Sequence, residues 1–209
     1  MYNAGMEDEP SSRPAGRPRD PGVAARVLTA VQDLLITNGY AGTTIAAVAQ
    51  AAGTGKAAVY RRWSGKADLV VAAVLALNAP VSVPDTGSLR DDLVECAMHY
   101  ARGDERATRV LASLLSEIGH DPQLFDAANR AIGRPPVAAL VAVIEQWVRR
   151  GAISADVPTE LIAGIIPTAA FGSVTLRQRT LDTQTISDLV DHVLLPALTG
   201  AHGSSTQLL

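Results

Sequence analysis

Cysteine appears once in this 209-residue chain, at Cys96. No disulfide can form within it, and a reducing compartment is its natural setting. Aromatic residues are scarce as well, at 4% of a chain that is 47% hydrophobic. With few rings and much Ala, Leu and Val, helices packed through small aliphatic side chains are favoured over a sheet. Long apolar runs are missing: stretches such as Leu69–Leu77 fall far short of the roughly 18 residues that a membrane span takes. The amino terminus, with Glu7, Asp8, Glu9 and several prolines, is wrong for a secretory signal. A soluble cytoplasmic protein that meets no membrane is the expectation. Chemistry-bearing motifs are equally thin. His99, His120, His192 and His202 show no ligand spacing, Cys96 has no partner for zinc, and neither a glycine-rich phosphate loop nor a nucleophile elbow occurs. No metal, cofactor or catalytic residue is expected.

The net charge of −3 argues against nucleic acid until it is divided along the chain. Residues 1–80 carry 8 Lys/Arg against 6 Asp/Glu, whereas residues 81–209 carry 10 against 15. Between positions 17 and 66, Arg17, Arg19, Arg26, Lys56, Arg61, Arg62 and Lys66 face only Asp20 and Asp33. A basic front and an acidic remainder place any phosphate partner at the first end.

That basic stretch contains TTIAAVAQAAGTGKAAVYRRWSGK, from Thr43 to Lys66. Two short helical patterns flank Gly53, the first with Ile45, Val48 and Ala49 on one face, the second with Val59 inward. Ala49, Gly53 and Val59 fall four and then six residues apart, the spacing of a helix-turn-helix. A small Ala lets the helices approach, Gly53 takes the left-handed turn, and Val59 plugs the angle between them. The same pattern alone also fits a plain helical hairpin; the positive charge gathered on it favours the DNA reader. Thr43 or Thr44 caps the first of the two helices, where free N–H groups favour an anion. Gly55 and Lys56 open the second helix, whose first turns would enter the major groove. Lys56 is the expected donor to guanine O6/N7, with Thr54 assisting through its hydroxyl or methyl. Arg61 reaches either a base or the backbone, and Lys66 opens the next helix as a phosphate clamp. Upstream, Arg17 and Arg19 form a short basic arm that either lies in a minor groove or stays in solvent.

The segment GY-x-x-TT-I-x-x-VA-x-x-AG-x-x-K-x-x-VY-R-x-W-x-x-K-x-x-L resembles the DNA-binding domain of the TetR/AcrR transcriptional regulators, over about residues 22–77. The resemblance implies that Thr44 touches a DNA phosphate, that Tyr60 hydrogen-bonds another, and that Trp63, at the family's aromatic position between the third and fourth helices, is a core wedge. In one place the chain departs from the commonest pattern: Gly55 and Ala57 flank Lys56 where many relatives carry Ser and Gly. A hydroxyl contact is lost, and the Ala57 methyl is free to meet a thymine methyl.

The remainder reads as further helices. A first helix runs from Pro21 or Gly22 to Asn38, stopped by Gly39. A fourth spans about Lys66–Asn78, followed by a Pro/Gly-containing connector to Gly87. Beyond it, helices are expected over about Ser88–Arg102, Asp104–Gly119 and from Asp121 to near Gly133, where Arg134-Pro135-Pro136 breaks the pattern. Others follow over Pro136–Arg150, Pro158–Gln178 and Thr183–Leu198. The expected fold is all-α, with a flexible arm (1–21), an N-terminal three-helix helix-turn-helix DNA-binding domain (22–79) and a C-terminal helical ligand-binding and dimerisation domain (88–209).

Two apolar stripes mark the last helices: Leu161, Ile165, Ala169, Gly172 and Leu176, then Ile186, Leu189, Val190, Val193 and Leu194. By themselves they suit equally the chain's own core or a four-helix bundle across a two-fold axis. The family resemblance favours the homodimer, with a palindromic double-stranded DNA operator as its partner. It also implies a small apolar effector, of unknown identity, held behind the reading head. Candidate wall residues are Cys96, His99, Tyr100 and Leu114, with Glu117, Ile118, Trp147 and Phe171. The expected function is that of a ligand-released repressor. The alternative is a helical adaptor whose basic face meets an acidic partner.

Overall fold

Val27, Val31 and Leu35 recur at four-residue spacing and are almost fully buried, which fixes the inner side of the first helix, α1 (Pro21–Gly42). In the computed structural model residues 21–78 and 80–200 are described, and among them no strand occurs. Gly39, at φ 66°, ends the regular part of α1 where the sequence expects the stop. The arm residues Arg17 and Arg19 lie outside the described residues.

The next two helices, α2 (Ile45–Ala51) and α3 (Lys56–Tyr60), are joined through Gly53 at φ +61°, the left-handed conformation expected of it. Thr44 is the cap of α2; its hydroxyl accepts from Ala47 N at 3.1 Å. Val48, Ala49 and Val59 fill the angle between the helices. Trp63 packs half-buried against this same cluster, as a wedge should. The fourth helix, α4 (Lys66–Leu75), crosses α1 and is pinned to it by a buried bond from Gln32 Nε2 to Ala73 O at 2.9 Å.

After the connector, α5 (Leu89–Ala97) is extended by a 3-10 turn, Met98–Ala101. Asp104 caps α6 (Glu105–Leu115) and Asp121 caps α7 (Pro122–Ala128). At Arg134-Pro135-Pro136 the sequence expects a break, and the structure corrects it. A π turn over Asn129–Gly133 carries the chain without interruption from α7 into α8 (Arg134–Arg149). Proline collides with the carbonyl four residues back, and a turn wound one residue wider moves that carbonyl aside. The same device recurs in the last segment, where α11 (Thr183–Leu189) passes through a π turn, Val190–Leu194, into α12 (Leu195–Thr199) ahead of Pro196. Between them lie α9 (Thr159–Ala163) and α10 (Ile165–Arg177), separated at Gly164.

Two apolar clusters hold the molecule together. The first joins α1–α4 to Val110 and Leu114 of α6 and to Leu124, Ala127 and Ala128 of α7. The second comprises α5, α8, α9–α12 and the segment around Ile153 and Val157. The reading head therefore shares its core with the helices that follow the connector. The stretch Thr159–Arg177 has, by length and composition alone, what a membrane crossing takes, with a mean hydropathy of 1.4. That corrects the expectation that apolar stretches stay far shorter. Its inward residues, among them Ile162, Ile166 and Ala170, pack into the second cluster.

Candidate nucleic-acid interface

The two helices of the head bury their small and branched residues and leave the rest outward. Thr44, Gly55, Lys56, Ala57, Tyr60 and Arg61 are exposed, and Thr54 is half-buried at the turn. Tyr60 is a large ring left 57% open while Val59 beside it is fully buried. An uncompensated aromatic next to Lys56 and Arg61 makes a surface suited to a phosphate-lined groove. Gly55 caps α3 with its backbone alone, so no side chain stands over the helix entrance. Arg62 is turned back on its own helix, donating from Nη1 to Ala58 O at 3.1 Å. Arg26 is likewise engaged, with Nε 3.4 Å from Ala52 O at the end of α2.

Lys66 stands apart from this group. It is half-buried, and its Nζ lies 3.8 Å from the centroid of the Tyr40 ring. Burial lowers its pKa, against the opposing charges of Asp121 and Glu117. Asp68, in the first turn of α4, accepts from Ser64 Oγ and already supplies that helix end with a carboxylate. A phosphate reaching Lys66 competes with these groups. Tyr40 packs under the head in the first cluster, and its hydroxyl donates to Asp121. That bond was not foreseen.

A cavity of about 50 Å³ lies behind the head, with His99, Tyr100 and Phe171 on its wall together with residues of α6 and α10. The other five expected wall residues are placed elsewhere. Cys96 is buried in the second cluster, its thiol pushed up to about 12 by burial and the nearby Glu95 charge. Leu114 and Ile118 pack in or against the first cluster. Glu117 faces the Tyr40–Lys66–Asp121 group, whose charges it perturbs. Trp147 gives its Nε1–H to Asp92 at 2.8 Å and takes the Arg150 guanidinium over its ring at 4.8 Å. Its polar edge is therefore committed to a structural bond.

Asp92 was not singled out by the sequence. It is fully buried and accepts from Thr86 N at 2.6 Å, Thr86 Oγ1 at 2.7 Å and Trp147. Burial raises its pKa, but these hydrogen bonds and the Arg150 charge outweigh burial and hold the carboxyl below the usual range. The knot fastens the connector to α5 and α8.

Of the two apolar stripes, one is open and one is divided. Leu161 and Leu176 are 72% and 84% exposed, with Ile165, Ala169 and Gly172 half-buried between them. Val193 is exposed and Leu189 half-buried. Ile186, Val190 and Leu194, by contrast, are fully buried in the chain's own second cluster. The expectation that these three face a partner is corrected: spaced four residues apart, they share one helix face, and that face packs into the chain's own core.

A helix-turn-helix with a basic, outward second helix, set on an acidic helical body, defines a DNA-binding regulator. Comparison with known proteins specifies it further. Residues 27–73 match the family model described as bacterial regulatory proteins, tetR family, and residues 83–193 match the tetracyclin repressor-like C-terminal domain. The chain is 32% identical over 194 residues to an HTH-type transcriptional regulator of Mycobacterium tuberculosis, covering 90% of this chain and 96% of that one. It is 33% identical over 175 residues to the DNA-binding transcriptional repressor TetR of Mycobacteroides abscessus, covering 82% and 92%. In fold it is similar to NalD of Pseudomonas aeruginosa, with a TM-score of 0.62 at 19% identity over 85% of this chain and 96% of that one. The chain belongs to the TetR family of transcriptional regulators, and its family is not one of enzymes.

Proposed function

We propose that the protein is a homodimeric repressor that binds a palindromic operator in double-stranded DNA and leaves it when a small apolar effector binds. The observation that carries this reading is the exposed set Lys56, Tyr60 and Arg61 on a helix whose inner residue, Val59, is fully buried. Lys56 is the direct base reader, with Thr54, Gly55 and Ala57 at the groove. Thr44, Tyr60 and Lys66 hold phosphates, and Arg61 takes a base or the backbone. Arg17 and Arg19 are assigned a supporting minor-groove contact. Five-residue α3 makes few base contacts alone, whereas two heads about 34–36 Å apart engage successive half-sites. The exposed face of Leu161, Ile165, Ala169, Gly172 and Leu176 supports pairing across a two-fold axis, since close packing of helices needs small residues beside large apolar ones. Val193 and Leu189 extend that face. The Mycobacteroides abscessus relative, a DNA-binding transcriptional repressor, supports the sign of regulation. A regulator of this kind works in the cytoplasm, where the DNA is. Selection of bound fragments from the source genome tests the reading: a two-fold symmetric enriched site is expected, and no enrichment would leave the adaptor alternative.

A further inference from the structure

The cavity behind the head lies on the seam between the two apolar clusters. Leu111 and Ile132 pack against the first, and Tyr100, Ala170 and Phe171 belong to the side of the second. Asn78, just beyond the end of α4, closes one side. Inside a protein, polar atoms without partners are rare and costly. Tyr100 is 8% exposed, and its hydroxyl is buried with no hydrogen-bond partner. The ring itself is well held, edge-on to Phe171 at 6.2 Å and to His99 at 5.2 Å. Its oxygen alone is unmet. Asp, Glu, Lys and Arg are absent from the lining residues. Burial, with the Arg102 charge, lowers the His99 pKa, so that imidazole is neutral near pH 7. A charged guest would lose its hydration without gaining a counter-ion. Thr108 Oγ1 already donates to Asp104 O at 2.9 Å, which leaves its lone pairs as acceptors.

We infer that the cavity takes a neutral, mostly apolar ring compound bearing one oxygen, and that this oxygen pairs with the Tyr100 hydroxyl; the inference deepens the effector role proposed above and rests on it. At about 50 Å³ the space is smaller than the roughly 150 Å³ that admits benzene in an engineered core. Entry of a ring therefore displaces walls, and the Asn78 wall follows directly on the helix that begins at Lys66, beside the reading head. Occupancy and head position are thereby linked, because the ligand gains only in the displaced arrangement.

The experiment compares p-cresol, toluene and p-toluate on the full chain, by thermal unfolding and by titration calorimetry. The expected result is binding of p-cresol roughly tenfold tighter than toluene, the worth of one hydrogen bond, with no binding of p-toluate. Tyr100→Phe removes an oxygen that has no partner, so the unliganded midpoint is kept or raised. In that variant p-cresol and toluene should bind equally. Equal binding of the two by the unaltered chain, retention of the p-cresol preference in Tyr100→Phe, preference for p-toluate, or no binding of any of the three overturns the inference. Fragment selection on the same preparations separates the two levels. Enriched operator DNA without ligand discrimination sinks the cavity assignment alone. Discrimination without enriched DNA keeps the ligand chemistry and sinks the operator reading.

Discussion

Tyr40 Oη donates a 2.9 Å hydrogen bond to Oδ2 of Asp121, a residue 81 positions further along the chain. Asp121 also caps α7 by accepting from Gln123 N and Leu124 N, each at 3.0 Å, so one carboxylate serves both the head and the body. The Leu124 N–H and the Tyr40 hydroxyl hold its pKa below the usual range. A depressed folded pKa means that this stabilisation is whole above about pH 4, where the unfolded carboxyl is ionised, and is lost as pH falls through the lower folded value. Tyr40→Phe keeps the ring under Lys66 and loses only the bond. It should lower the unfolding midpoint at pH 7, and Asp121→Asn should flatten the acid limb of the stability profile. Urea unfolding between pH 3 and 7 measures both.

Asp92 should be the most sensitive polar position outside the head. Asp92→Ala leaves Trp147 Nε1 and the Thr86 N–H without their acceptor in a buried place. A loss of about 3 kcal/mol is expected in denaturant unfolding. A change under about 0.5 kcal/mol, the range of an ordinary surface substitution, would show that water readily replaces the carboxylate.

Gly53 supplies a cleaner test of backbone geometry. A Cβ there meets nothing within 4 Å, so only its φ of +61° opposes a side chain. Gly53→Ala should cost about 1 kcal/mol and weaken DNA binding by tilting α3 against α2. Unchanged stability would remove the left-handed turn from the account.

Charge placed on the open stripe should separate subunits without unfolding them. Leu161→Asp and Leu176→Asp alter residues that are 72% and 84% exposed, and sedimentation should report folded monomers. Val190→Asp, at a fully buried position, should unfold the chain instead. Dimers persisting in the double variant Leu161→Asp/Leu176→Asp would move the partner surface elsewhere.

Local signals made the head legible. A cap at Thr43 or Thr44, Gly53 as the left-handed turn and Val59 as the plug each follow from neighbours within a few residues, and the structure puts the cap at Thr44. Asp104 and Asp121 fall at helix starts that the sequence marks, and in the structure each caps its helix. What was missed depends on distant pairing: Tyr40 with Asp121, Asp92 with Trp147, and Gln32 with Ala73 involve separations that no periodicity records. Proline was misjudged at Arg134–Pro136 because a π turn absorbs it, and periodicity alone could not say that the face of Ile186, Val190 and Leu194 meets the chain's own core. Candidate cavity walls were taken from the helices behind the reading head on the family resemblance, which cannot say which of two clusters a side chain meets. Hence Leu114 and Trp147 fell outside while Tyr100 fell inside.

The contact between Lys56 and a base edge is the account's centre, and titration of the selected operator against single-base variants examines it directly. For the unaltered chain, changing the guanine that Lys56 reads should cost about 1–3 kcal/mol, and Lys56→Ala should abolish that preference while keeping the salt dependence of phosphate binding. If Lys56→Ala discriminates among the variants as the unaltered chain does, α3 is not the reading helix.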